Sequence, residues 1–163
     1  MLVFYGAPNN ESCNAKVTGH HIQSLIDRDF DVHVKLIKPT AASKKLASFV
    51  RTALELPDDT CVLSSTTSRH SKFAVSSVGD VVLHYGSDGT MHAGQVWAHF
   101  AIDNECITLL QEFELVSADR EQDIAKWRIL GTPVLCATED IVDPVIWNDY
   151  DRGIVRTILP CDR

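Results

Sequence analysis

The pattern of apolar and polar positions changes character near residue 75. Before that point it reads as strand, helix, strand, helix. LVFYG at residues 2 to 6 is a short apolar run closed by the turn-forming stretch Gly6 to Asn10, and residues 32 to 37 alternate as a strand does. Between them, Ile22, Leu25 and Ile26 fall at helical spacing within Val17 to Arg28. The second helix is the clearest element of this half: Leu46, Phe49, Val50, Ala53 and Leu54 follow the i, i+3, i+4, i+7, i+8 rule, which predicts them as its buried face. Thr40 or Ser43 supplies an N-cap, and Pro57 stops the helix. Pro57, Asp58 and Asp59 then break the pattern, Cys61 to Ser64 reads as a short strand, and Ser64 to Ser71 as a polar connection.

Beyond residue 75 the period shortens to two. Val78 to Tyr85, the turn GSDGT, and His92 to Ile102 form a hairpin, with Gly94, Val96, Ala98, Phe100 and Ile102 on one face. Asp103 and Asn104 make the next turn, and Glu105 to Val116 follows with Ile107, Leu109, Phe113 and Leu115 sharing a face. After the polar segment SADREQD come Trp127, Pro133 to Cys136, Ile141 to Trp147 with Pro144 marking an edge or bend, and a last strand from Gly153 to Leu159. Short strands with little helix predict a small curled sheet or barrel. The chain therefore divides into a βαβα portion, residues 1–75, and a mainly β portion, residues 76–163.

Composition narrows the class. Hydrophobic residues form 45% of the 163-residue chain and charged residues 23%, the balance of an ordinary globular protein. No stretch reaches the roughly 18 consecutive apolar residues of a membrane span, and MLVFYGAPNNES lacks the basic flank of a signal peptide, so the expected location is intracellular, nuclear or cytoplasmic. Five cysteines, Cys13, Cys61, Cys106, Cys136 and Cys161, are an odd number without CxxC spacing, which predicts reduced thiols and not a disulfide framework or zinc ribbon. The net charge of −7 is uneven: residues 1–75 carry nine Lys/Arg against seven Asp/Glu, and residues 76–163 six against fifteen, or +2 and −9. An acidic second half repels phosphate backbones and suits a basic peptide, or simply keeps the protein soluble. A nucleic acid would have to meet the first half, at Lys35, Lys38, Lys44 and Lys45.

Candidate chemistry is sparse. His84 and His92 flank GSDGT and pair across the hairpin, but His99 has the opposite parity to His92, so all three share a face only if a bulge intervenes. Cys13 near His20 and His21 matches no ligand or nucleophile spacing. Glu139, Asp140 and Asp143 read as a carboxylate cluster for acid/base work or, more simply, as an acidic rim. Trp97 has the parity opposite to the predicted core positions Gly94, Val96, Ala98 and Phe100, so it either lies under the first half, whose helix at 43–56 needs a surface, or faces a ligand. No catalytic residue, metal ligand or cofactor is assigned.

The order VGDVVLHYG, turn, HAGQVWAHFAID, turn, ECITLLQEFELV, polar insert, PVLCATEDIVDPVIW resembles the bromo-adjacent homology domain and the wider SH3-like and Tudor-like barrels over residues 76–150. The resemblance implies an α+β protein in which the βαβα portion packs on a mainly antiparallel small barrel. It also implies chromatin-type protein recognition, with a basic or histone-tail-like peptide held by aromatics and acids. The ligand-binding residues so expected are Tyr85, Trp97, Trp127, Glu139, Asp140, Asp143, Trp147 and Tyr150. Two other functions remain open: an accessory nucleic-acid-associated domain of a mobile-element or chromatin protein, and a metal- or thiol-dependent hydrolase.

Overall fold

The computed structural model describes residues 34–71, 74–86 and 88–160. The expected strand at 2–6, the helix at 17–28 and the Cys13–His20–His21 group lie outside those residues. Short strands β1 (Lys35–Leu36) and β2 (Thr40–Ala41) lead into helix α1 (Lys44–Ala53). Strands β3 (Val62–Ser65), β4 (Thr67–Arg69), β5 (Val75–Ser77) and β6 (Val81–Tyr85) follow, then the long β7 (Met91–Ile102), β8 (Glu105–Asp119) and β9 (Ile124–Ala137). A 3-10 turn at Thr138–Asp140 precedes β10 (Ile141–Val145), β11 (Trp147–Asp151) and β12 (Ile154–Ile158).

The expected βαβα portion on a closed barrel is not what these elements build. The larger assembly is an open antiparallel sheet of nine strands, ordered β10-β6-β7-β8-β9-β12-β11, with β3 added to β7 and β2 to β3. A separate three-stranded sheet runs β1-β4-β5. The strands before residue 75 thus belong to sheets shared with later ones, since β3 pairs with β7 along Val62↔Ile102 to Ser65↔His99. Sequence patterning sees each strand's period but not its partner, so the local β-α alternation gave no warning of this long-range pairing. The sheet coils until its two terminal strands, β10 and β11, are separated in sequence by Ile146 alone, yet the ladder itself stays open between them.

One edge of β7 is divided between two partners. Met91–Gln95 pairs with β6, and His99–Ile102 pairs with β3. At the junction, Val96 faces Leu110 and Ala98 faces Leu109, which leaves Trp97 as the extra residue of a β-bulge. The bulge flips the side-chain alternation. Gly94 and Val96 lie on one side of the sheet, while Ala98, Phe100 and Ile102 lie on the other, so the single apolar face expected for all five is split in two.

Each side then buries its own core. With Leu109 and Val62, the residues Ala98, Phe100 and Ile102 pack under α1, whose Ala47 and Val50 close the cluster. Helix α1 begins where Ser43 accepts a hydrogen bond from the Leu46 amide. Its buried stripe is rotated from the expected one: Ala47 and Val50 are inside and Leu54 is partly packed, whereas Leu46 and Phe49 are exposed. Further along the same side, the coil of the sheet brings Val81, Leu83, Ala93, Phe113, Ala125, Trp127 and Val155 together. The opposite side buries Val82, Val96, Leu110 and Ile141. Among the described residues no helix is long and apolar enough to cross a membrane.

Candidate functional site

The β7–β8 turn is a two-residue reversal at Asp103 and Asn104, with Asp103 at φ 53°, a left-handed conformation that aspartate tolerates better than most residues. That turn sets the start of β8 against the end of β9, where Ile107 pairs with Ala137 and Leu109 with Leu135. Leu54, the residue that caps the C-terminus of α1, comes to the same place. Together they form a groove of about 380 Å³ whose apolar lining includes Leu54, Ile107 and Leu135 and whose rim carries Glu105 and Glu139. Neither glutamate forms an ion pair with a cation among the described residues. An apolar floor beside two carboxylates has the chemistry to accommodate a hydrocarbon stem with a positive end.

Two cysteines also line this groove, and their electrostatics argue against nucleophilic work. Burial pushes the Cys136 thiol up to about 12, with the nearby Asp140 carboxylate adding to the rise. Burial also raises Cys106, whose Sγ lies 3.6 Å from the Val34 carbonyl oxygen. A thiol reacts as the thiolate, so both are held in the inert form.

On the side of the sheet away from α1, the bulge at Trp97 returns His99 to the face of His84 and His92. His99 is fully buried, and its Nε2–H donates to the Ser76 carbonyl at 3.1 Å. That leaves Nδ1 to accept from the Thr108 hydroxyl at 2.9 Å, and Thr108 in turn accepts from Thr138 at 2.9 Å. The tautomer follows from the carbonyl, which can only accept. Burial lowers the His99 pKa to about 4, so the ring is neutral near pH 7.

His84 is buried and stacks on His92 with ring centroids 5.7 Å apart. Neither ring nitrogen of His84 has a hydrogen-bond partner, the Tyr85 backbone beside it falling outside good geometry, and burial lowers its pKa. His70 is likewise buried and lowered by burial, with the Ile141 backbone beside it outside good hydrogen-bond geometry. His92 is half-exposed, with Nδ1 3.4 Å from Glu112 and Nε2 2.7 Å from the Thr90 hydroxyl. Among the described residues no three His, Cys, Asp or Glu side chains are placed to hold a metal ion.

The expected ligand-binding residues are dispersed. Trp127 is 3% exposed, and its indole N–H donates to Thr157 at 2.8 Å. Trp97 projects from the bulge and Tyr85 from the end of β6, both exposed, while Trp147 and Tyr150 stand on the outermost strand β11. Glu139 and Asp140 occupy the 3-10 turn, and Asp143 lies on β10. The one ring–ring contact among described residues is between His84 and His92, so no aromatic cage is assembled from them. Glu139 alone of the expected set reaches the groove; Glu105, the first residue of β8 after the Asp103–Asn104 turn, lines it as well.

No family model, curated protein or solved structure matches this chain.

Proposed function

We propose that the protein is a recognition module that takes a basic segment of another protein in the groove between Leu54, just past the end of α1, and the β8–β9 ladder. The observation that carries this reading is the pair Glu105 and Glu139 over the apolar floor of Leu54, Ile107 and Leu135. A lysine or arginine laid there buries its methylene stem against the floor and meets a carboxylate at its charged end. The surplus of fifteen acidic over six basic residues in residues 76–163 steers such a segment inward. Cys61, Cys106 and Cys136 are unpaired, which fits an intracellular, reducing setting for the encounter.

Fluorescence anisotropy of labelled lysine-rich and histone-tail-like peptides tests the reading. Saturable binding at low salt that weakens several-fold as salt is raised, and again in Glu105→Gln with Glu139→Gln, is the expected result. Binding that ignores both substitutions would overturn it.

A further inference from the structure

The outer side of the sheet at the far end from that groove carries a cation arrangement that the peptide reading does not use. Across four adjacent strands, Ser117 faces Lys126, Lys126 faces Arg156, and Arg156 faces Asn148. Two like charges directly opposite on neighbouring strands repel, and sheets usually relieve this with a carboxylate. The adjacent row shows the usual solution: Arg128 lies opposite Glu114 and bonds it at 2.6 Å.

Lys126 and Arg156 have no such partner among the described residues. Instead both are drawn over one ring, Lys126 Nζ at 4.5 Å and the Arg156 guanidinium carbon at 5.3 Å from the Tyr150 centroid. Tyr150 is the unpaired residue where the β11 register shifts between Asp149 and Asp151, so a bulge aims its ring at them. Arg156 Nε donates to Asn148 at 3.3 Å, which fixes the guanidinium plane and leaves its two terminal nitrogens free. These side chains border a groove of about 290 Å³ that Ser117, Asp119 and Gln122 also line. The Asp119 carboxylate there is turned to its own loop, accepting from the Glu121 and Gln122 amides at 3.0 and 3.2 Å.

We infer that this groove is a binding site for a phosphate monoester, with the dianionic phosphoryl group between Lys126 and Arg156. Two cations balance the two charges of one such group, and the arginine fork with the Ser117 hydroxyl and the Gln122 side-chain amide gives donors to its oxygens. A polyanionic backbone is a poor fit, since it would run onto the acidic surface of a half carrying fifteen Asp/Glu.

The test is titration of the purified protein with glycerol phosphate and with inorganic phosphate, followed by amide chemical shifts and by Tm, against sodium chloride at equal ionic strength and neutral glycerol. The expected result is saturable shifts at Ser117, Gln122, Lys126 and Arg156, a rise in Tm with both phosphates, and neither effect with chloride or glycerol. Binding should weaken as pH falls from about 7 to about 5, because a phosphoryl group loses its second charge near pH 6. Lys126→Gln and Arg156→Gln should each abolish the phosphate response while leaving the far-UV circular dichroism of the folded protein unchanged. The inference is overturned if chloride reproduces the effect, if no saturable shift occurs, or if either variant keeps the response.

Discussion

His92 and His99 face the same side of β7 although their separation in sequence gives them opposite parity, because the bulge at Trp97 inserts one residue between Val96 and Ala98. The consequence is a histidine-lined interior on that side of the sheet, with His84 stacked on His92 and His99 tied into a Thr108–Thr138 relay. His84 and His99 are buried there, as is His70 near by, and burial lowers the pKa of all three.

Acid should therefore destabilise the protein as the pH falls below the ordinary histidine value of about 6.5. Burial lowers the His99 pKa from 6.5 to about 4, so between those values the unfolded chain binds a proton that the native one refuses. The stability this ring contributes is fully present above pH 6.5 and is lost as pH falls toward 4, at most about 3 kcal/mol for His99 alone. His70 and His84 are lowered by burial in the same direction, although Asp143 beside His70 and Glu112 and Asp140 beside His84 oppose the shift. Urea denaturation across this range should show the midpoint falling with pH, and a flatter profile in His99→Gln.

Thr157→Val should cost about 1–3 kcal/mol, because it strips the buried Trp127 N–H of its only acceptor while keeping the side-chain volume. Chemical denaturation measures the loss. Trp127→Phe with Thr157→Val should cost less than the two single changes added together, since the second removes a group the first has already orphaned.

Gly94→Ala should destabilise by about 1–3 kcal/mol through overpacking. A Cβ built at Gly94 meets the Gln111 carbonyl oxygen at 3.0 Å and Leu110 Cβ at 3.2 Å, and neither the ladder backbone nor the buried leucine can give way cheaply. The expected readout is a lower Tm, since the side chain added here enlarges a core that is already filled.

Most strands were legible because a half-buried strand writes its period into the sequence. The β6–β7 hairpin, the Asp103–Asn104 turn and the final strand fall where alternation and turn residues put them. What alternation cannot carry is a bulge: the sequence around Trp97 keeps its apolar spacing through the extra residue, so Gly94, Val96 and Ala98 read as one face when they occupy two. The same blindness hid β9, where Leu130, Gly131 and Thr132 bulge against Phe113 and Gln111 and make a fourteen-residue strand read as fragments. For the groove, Glu139 was visible as part of an acidic cluster. Glu105 was not, because only the pairing of β8 with β9 brings it to the same rim.

The most direct test of the central claim is an amide chemical-shift titration of the intact protein with a lysine-rich peptide at low salt. Saturable shifts concentrated at Leu54, Glu105, Cys106, Ile107, Leu135 and Glu139, which together mark the groove, are expected. Shifts scattered over the acidic surface without saturation, or confined to the β11–β12 end, would contradict it.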